Sequence, residues 1–340
     1  MRRRDLDYQL PPELIAQRPL ARRDASRLLV YERSTAAVRH RHFSDLPHEL
    51  AADDLLILND TRVIPGRLRL QRGSGGLVEV LLVEQRGDGL WECLARPSRR
   101  LRPGETLSVV GSGSPSNRAG TPVPESKVSN NVELVESLGE GRWLVQVPKG
   151  LRGEVPLPPY IHESLGEAER YQTIFAREEG SAAAPTAGLH LTPELLERLD
   201  HAFITLHVGI DTFRPLISET LDDHRMHGEL YEIPQQVWAR VERASRVVAV
   251  GTTSVRALES VARGSGDPRD RLSGRTELMI TPGDEFCAVD VLVTNFHLPR
   301  STLLALVMAF AGVDATRELY RLAIAERYRF YSFGDAMLIL

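Results

Sequence analysis

The pattern of apolar and polar positions changes texture twice along the chain. Up to residue 66 it predicts a short helical stretch at 12–17 and strands at 27–31 and 54–58. The second strand runs into a polar turn, Asn59-Asp60-Thr61-Arg62. From Arg67 the runs are short and rich in β-formers, at 68–70, 78–83, 91–95, 106–110, 132–135 and 143–147. Turn signals such as Gly73-Ser74-Gly75-Gly76, Gly87-Asp88-Gly89 and Pro103-Gly104 separate most of them. Short strands at this spacing predict a small antiparallel barrel or sandwich. Residues 111–124 are rich in Gly, Ser and Pro, which predicts a flexible loop inside this β-unit.

The remainder alternates strand and helix. Runs at 203–208, 247–250 and 289–293 are apolar and β-branched, the pattern of buried strands. Helical patterns follow the second and third, at 255–262 and 302–311, and another precedes the first, at 193–199. Thr192 and Ser301 are good N-caps, Pro193 fits a first helical position and Gly312 suits a helix end. Such repeats imply an α/β domain with ligands near the carboxyl ends of its strands. The expected fold class is α/β: a larger, discontinuous α/β domain at 1–66 and 151–340, with a small antiparallel β-barrel domain inserted at 67–150.

Polar loops fall at these strand ends. The segment 184–193 is a run of small residues before a capped helix. Gly188 allows close approach of a ligand to the backbone, and the helix start favours negative charge. His190 is there as a general base, a hydrogen-bond donor or a packed turn residue. In 203–208, Ile204, Leu206 and Val208 share one face, while His207 lies on the other near the strand end. Asp222-Asp223-His224-Arg225-Met226-His227-Gly228-Glu229 has the composition of a metal cluster. On a helix His224 and His227 share a face, but Gly228 interrupts the pattern and no defined metal motif is present. An acid–base or substrate-orienting cluster is the expectation. Gly251-Thr252-Thr253-Ser254-Val255-Arg256 directly follows a buried strand. N–H groups and hydroxyls at a helix start form a pocket for a carboxylate or phosphate; ordinary N-capping is the alternative. Residues 294–302 repeat the arrangement, with Arg300 suited to an anionic substrate. His190, His207, Thr252 and Asn295 are expected to face one crevice.

Composition narrows the chemistry. With 340 residues, of which 42% are hydrophobic, the chain can bury a large core in about two domains. A net charge of -4 argues against a general nucleic-acid coater but not against a specific RNA substrate met by a local basic patch. Arg96, Arg99, Arg100 and Arg102 form such a cluster, read as a phosphate contact or as a solvated face. Cys93 and Cys287 make no Cys-x-x-Cys pair, against a thiolate zinc site or an iron–sulfur cluster. Neither a Walker loop nor a Gly-x-Gly-x-x-Gly motif is present, against ordinary NTP hydrolysis and dinucleotide redox chemistry. No apolar run follows Met1-Arg2-Arg3-Arg4, and the most apolar stretch, 303–311, is too short to span a bilayer. A cytoplasmic protein without a membrane partner is expected.

Several ordered motifs then match a known family: Glu13-Leu14-Ile15-Ala16-Gln17, Ser26-Arg27-Leu28-Leu29 and Leu58-Asn59-Asp60-Thr61-Arg62-Val63-Ile64-Pro65. Further along come Pro185-Thr186-Ala187-Gly188-Leu189-His190, Gly251-Thr252-Thr253-Ser254-Val255-Arg256, Thr294-Asn295-Phe296-His297-Leu298-Pro299 and the run 328–337. On these the chain resembles, essentially end to end, the S-adenosylmethionine:tRNA ribosyltransferase-isomerases of queuosine biosynthesis. It departs at Asp211-Thr212-Phe213, where the family usually has Gly-Thr-Phe, at Gly66 for Ala, and at Leu191 for Phe.

The resemblance implies an α/β domain with an inserted β-barrel and no metal. It implies transfer and isomerisation of the ribosyl part of S-adenosylmethionine onto 7-aminomethyl-7-deazaguanine at the tRNA wobble position. Epoxyqueuosine-tRNA, adenine and methionine are the implied products. The partners are then that tRNA and S-adenosylmethionine, a consumed co-substrate rather than a cofactor, and the chain is expected to be a monomer. For this chemistry the candidate acid–base residues are His190, His207 and His227, oriented by Glu229 or Asp60. Thr252, Thr253 and Arg256 are the expected cradle for the methionine carboxylate. Arg62, Asn295 and Arg300 are expected to meet tRNA or ribose oxygens, and Thr186, Gly188, Arg214, Ser254 and His297 complete the expected binding set. Competing readings are an S-adenosylmethionine-dependent tRNA methyltransferase, weakened by the missing Gly-rich loop, and a noncatalytic tRNA-binding protein, disfavoured by the acidic balance.

Overall fold

The computed structural model describes residues 1–110, 131–209, 216, 218–226 and 228–340. Arg214, His227, the departure at 211–213 and the expected loop at 111–124 lie outside the described residues. In chain order the strands are β1 (Arg27–Glu32), β2 (Ala37–His42), β3 (Asp54–Asn59), β4 (Thr61–Val63), β5 (Arg67–Arg72) and β6 (Leu77–Gln85). There follow β7 (Leu90–Arg96), β8 (Thr106–Val109), β9 (Asn131–Gly139), β10 (Arg142–Gln146), β11 (Glu178–Ser181) and β12 (His201–Leu206). The last are β13 (Glu229–Glu232), β14 (Arg246–Val250), β15 (Ser273–Thr276), β16 (Val291–Asn295) and β17 (Ala336–Ile339). The helices are α1 (Leu46–Glu49), α2 (Pro193–Leu196), α3 (Gln235–Val241), α4 (Thr252–Ala262), α5 (Thr302–Ala311) and α6 (Val313–Ala325).

Two units divide the described chain. The larger comprises 1–62, 157–179 and 183–340, and the smaller 63–156 and 180–182. In the larger unit a nine-stranded mixed sheet has the order β15-β13-β12-β3-β14-β16-β17-β1-β2. Its centre, β12-β3-β14-β16, is parallel. β17 runs antiparallel to β16 and parallel to β1, and antiparallel pairs finish both edges. Side chains of a strand alternate between faces, and here both faces are buried. Leu55 and Ile57 of β3 and Val247 and Ala249 of β14 enter one core. Leu56 and Leu58, with Val248 and Val250, enter the other. That is why these strands read as continuous apolar runs.

The smaller unit is a closed antiparallel barrel, β10-β7-β6-β5-β8-β9. Leu68, Leu70, Val80, Leu107, Leu134, Trp143 and Val145 fill it. The expected mixed α/β class with a small antiparallel barrel is thus present.

Local expectations hold at the caps. Thr192 accepts from Leu195 N at 3.3 Å, and Ser301 from Leu304 N at 3.2 Å. Others need correction. The helix expected at 12–17 is a three-residue turn, Pro12–Leu14, because Ile15 is already extended (φ -76°, ψ 109°). The helix expected at 193–199 closes at Leu196. The supposed polar turn at 59–62 is the end of β3 and the start of β4. The described part of 222–229 forms no helix, and Glu229 opens β13.

Candidate active site

The register brings several strand ends to one edge. Ile204 pairs with Asn59, Leu58 with Val250, and Val250 with Val293, which aligns the carboxyl ends of β12, β3, β14 and β16. Asn295 pairs with Ala336, so the loop before β17 reaches the same edge. Asn59 ties two of these ends together. Its Oδ1 accepts from Leu206 N at 3.0 Å and Thr61 N at 3.1 Å, and its Nδ2 donates to Leu206 O at 2.9 Å.

A cavity open to solvent lies here. Part of its wall is the start of α4. Gly251 has φ 91°, which lets β14 turn directly into the helix, and its N–H is bonded to Val293 O at 2.8 Å. The first N–H groups of any α-helix lack intrahelical acceptors and favour negative charge. No side chain caps this one. Thr252 and Thr253, only 5% and 8% exposed, line the cavity at this point. Among the described residues the Thr253 hydroxyl is buried with no hydrogen-bond partner. A buried hydroxyl left unmatched costs about 1–3 kcal/mol, a cost that a ligand atom placed in the cavity would relieve. Ser254 instead donates to Val250 O at 2.9 Å and serves the helix itself.

Asn295 also lines the cavity and is held by the protein at both amide atoms. Its Oδ1 accepts from Thr186 Oγ1 at 3.0 Å. Its Nδ2 donates to Tyr331 O at 3.3 Å and to His190 Nε2 at 3.2 Å. His190 Nδ1 lies 2.8 Å from Ser26 Oγ, whose hydroxyl donates to Arg23 O at 3.3 Å. These donors fix the His190 proton on Nδ1. Burial, helped by the Arg329 charge, lowers the imidazole to about 3, so it is neutral. It stacks on Phe43 at 4.9 Å and lines a smaller hollow behind Asn295 rather than the main cavity.

His297 does line the cavity. Its Nε2 lies 2.6 Å from Thr294 Oγ1, its backbone N donates to Tyr320 OH at 2.9 Å, and burial lowers its imidazole to about 3. His207 follows the end of β12, with Nδ1 2.8 Å from Thr61 Oγ1, and its neighbour Val208 lines the cavity.

The remaining expected residues lie away from the cavity wall. Asp60 accepts from Thr205 Oγ1 and from Arg177 Nε, both at 2.7 Å; burial raises its pKa against those two bonds. Glu229 accepts from Gly209 N at 2.7 Å and forms a buried ion pair with Arg256, which also donates to Leu278 O at 2.9 Å. Arg62 pairs with Glu169, and Arg300 with Asp7. A Cβ at Gly188 would stand 2.9 Å from Phe175 Cζ and 3.1 Å from Thr173 Cγ2. Internal packing therefore explains this glycine, without a ligand. Of the expected set, Thr186, Thr252, Thr253, Asn295 and His297 gather around the cavity.

The model of the family described as "Queuosine biosynthesis protein" matches residues 3–339. The chain belongs to this family. The S-adenosylmethionine:tRNA ribosyltransferase-isomerase of Rubrobacter xylanophilus is 53% identical over 350 residues, spanning 100% of this chain and 98% of the relative. That of Symbiobacterium thermophilum is 50% identical and spans 100% of both. The crystal structure of the S-adenosylmethionine tRNA ribosyltransferase from Thermotoga maritima is 38% identical, with a TM-score of 0.55 over 99% of this chain and 100% of that one. The resemblance read from the motifs is borne out. In this queuosine-family chain sequence reasoning missed Tyr160, Tyr331 and Ser332, which also line the cavity. Tyr160 OH lies 2.7 Å from Ser332 Oγ, and burial pushes the Tyr331 phenol up to about 12. The signal for Tyr331 and Ser332 was the motif run 328–337, to which no role was assigned; Tyr160 had none. Among the described residues, no helix is long and apolar enough to cross a membrane.

Proposed function

We propose that the chain transfers the ribosyl group of S-adenosylmethionine to 7-aminomethyl-7-deazaguanine at the tRNA wobble position, isomerising it to an epoxycyclopentanediol and releasing adenine and methionine. It acts as a cytoplasmic monomer, with S-adenosylmethionine consumed rather than retained. The sulfonium acidifies the adjacent ribose C–H bonds, so a base can remove a proton there and form an ylide. Adenine leaves with a proton delivered to its ring. The aminomethyl nitrogen forms the new C–N bond, and closure of the epoxide breaks the C–S bond and expels methionine as a thioether.

The chain's own residues divide this work. The N–H groups at the start of α4, with Thr252 and Thr253, hold the methionine carboxylate. Proton transfer falls to His207, which precedes the cavity-lining Val208 and is oriented by the Thr61 hydroxyl at 2.8 Å, while His297, held by the Thr294 hydroxyl at 2.6 Å, lines the cavity as a neutral hydrogen-bonding group. His297 is neutral well below physiological pH, which avoids placing a second cation beside the sulfonium. His190 is a positioning residue: it acts through Asn295, which acts through Thr186. The Glu229–Arg256 pair holds the exit of β12 at Gly209.

The observation that carries this reading is the buried, unpartnered Thr253 hydroxyl at an uncapped helix start inside the strand-end cavity. To test it, the protein is incubated with S-adenosylmethionine and precursor tRNA, and the small products are identified by mass. Adenine with methionine supports the proposal. S-adenosylhomocysteine would mark a methyltransferase, and no turnover would leave only binding.

A further inference from the structure

The larger unit holds a cluster of arginines with no role in that scheme. Arg23 donates to Leu189 O at 3.2 Å and Glu169 O at 3.3 Å. Arg170 donates to Ala21 O at 3.3 Å and to Leu20 O. Arg329 donates to Arg18 O at 2.9 Å and to Phe333 O. All six acceptors are neutral carbonyls. A guanidinium has five N–H donors, so each side chain keeps donors for another partner. Among the described residues, none of the three is ion-paired. Nearby carboxylates are engaged elsewhere: Glu169 pairs with Arg62, and Asp335 accepts from Arg27 N at 3.0 Å and Arg329 N at 2.8 Å.

The three side chains are half-buried, which separates them from the arginines of the barrel. Arg96, Arg99, Arg100 and Arg102 are exposed, where solvent screens their charge. Cations withdrawn from water without a counter-ion carry a real penalty. Burial lowers both Arg23 and Arg329, repulsion from Arg170 lowers Arg23 further, and the charges of Glu169 on Arg23 and Asp335 on Arg329 offset this only in part. Arg23 lines the hollow behind Asn295 together with Leu20, His190 and Gly334. Ser332 lines both this hollow and the main cavity. Through Ser332 the hollow that Arg23 lines adjoins the main cavity, where the proposed transfer joins the RNA base.

We propose that Arg23, Arg170 and Arg329 dock the RNA backbone phosphates flanking the nucleotide whose base occupies the cavity. This rests on the tRNA reading above. A base splayed into a pocket brings its own phosphates to the rim. Planar guanidiniums with spare donors match phosphate oxygens in bidentate geometry.

The test is binding of a fluorescent anticodon stem-loop RNA between 50 and 200 mM salt. It compares wild type, Arg170→Gln, Arg329→Gln, the matching Lys variants, and a barrel variant with Arg96, Arg99, Arg100 and Arg102 all changed to Gln. Each single Gln variant is expected to lower the slope of log K against log salt by about 0.7–0.9 and to weaken binding roughly tenfold. The Lys variants keep most of the slope. S-adenosylmethionine affinity without RNA, and the unfolding midpoint, show that the variants are intact. Unchanged slopes in folded Arg170→Gln and Arg329→Gln, with wild-type adenine release intact, overturn the docking site alone. A loss of slope confined to the barrel variant overturns it in favour of the barrel. A wild type that binds no RNA overturns the tRNA reading with it.

Discussion

Changing Thr253 to valine is expected to move stability and binding in opposite directions. Valine keeps the shape and the β-branch of threonine, with near-equal helix propensity. It replaces a hydroxyl that is buried and unpartnered in the free protein. Relief of that unmatched group is worth about 1–2 kcal/mol to the folded state. On the proposed reading the same hydroxyl bonds the methionine carboxylate in the complex, and a hydrogen bond to a charged group is worth about 1.5–3 kcal/mol. Tenfold in affinity is about 1.4 kcal/mol, so S-adenosylmethionine should bind roughly 10- to 100-fold more weakly. Chemical denaturation of the ligand-free protein and calorimetric titration with S-adenosylmethionine measure the two effects. A variant that is less stable than wild type, yet binds with unchanged affinity, would refute the reasoning. Thr253 would then be ordinary core, and the carboxylate site would lie elsewhere.

Acid sensitivity is the second expectation. His190 and His297 are lowered from 6.5 to about 3, so the folded state keeps them neutral where the unfolded chain binds protons. Their contribution is full above about pH 6.5 and falls toward pH 3, by about 1.4 kcal/mol per pH unit for each imidazole. The stability gap between wild type and His297→Gln should therefore close by about 2 kcal/mol from pH 7 to pH 5; a constant gap contradicts it. Glu229→Gln or Arg256→Gln alone should cost about 3–5 kcal/mol in denaturant unfolding, because each leaves its buried partner uncompensated. Joint replacement by Gln and Met should cost clearly less than the sum, and additivity would deny the pairing. His207→Ala should fold normally and slow adenine release by 100-fold or more. A wild-type rate would remove His207 from the proton transfers.

The barrel was legible in the sequence because its interior alternates with solvent. β5 and β9 show that period directly, with Leu68 and Leu70 or Val132 and Leu134 inside and Arg69 or Glu133 between them outside. β14 and β16 were legible because burial on both faces makes continuous apolar runs. β2 was not: its sequence Ala-Val-Arg-His-Arg-His is a sheet edge whose side chains face water, so no apolar pattern marks it. β17 has four residues, too few for a period, and α6 begins one residue after α5 ends at Ala311, across Gly312.

The site was legible as a set of strand-end loops and illegible in its allegiances. Arg256 reads as a free cation beside a helix start, yet Glu229, 27 residues away, claims it. Spacing cannot show that Ser26 and Asn295 grip His190 from both sides, 164 and 105 residues distant. Gly188 reads as room for a ligand, but Phe175 fills that room. Which polar group remains for a ligand depends on these tertiary claims; of the cradle expected from sequence, Arg256 is taken by Glu229, while the Thr253 hydroxyl has no partner among the described residues.

The most direct measurement is a crystal structure of the protein soaked with S-adenosylmethionine. The expected result is density in the strand-end cavity, with the methionine carboxylate against the start of α4 and within hydrogen-bond distance of Thr253 Oγ1. Density seated instead in the groove between Tyr8, Leu304, Met308 and Tyr320, with the strand-end cavity unchanged, would contradict the site on which the proposed chemistry depends.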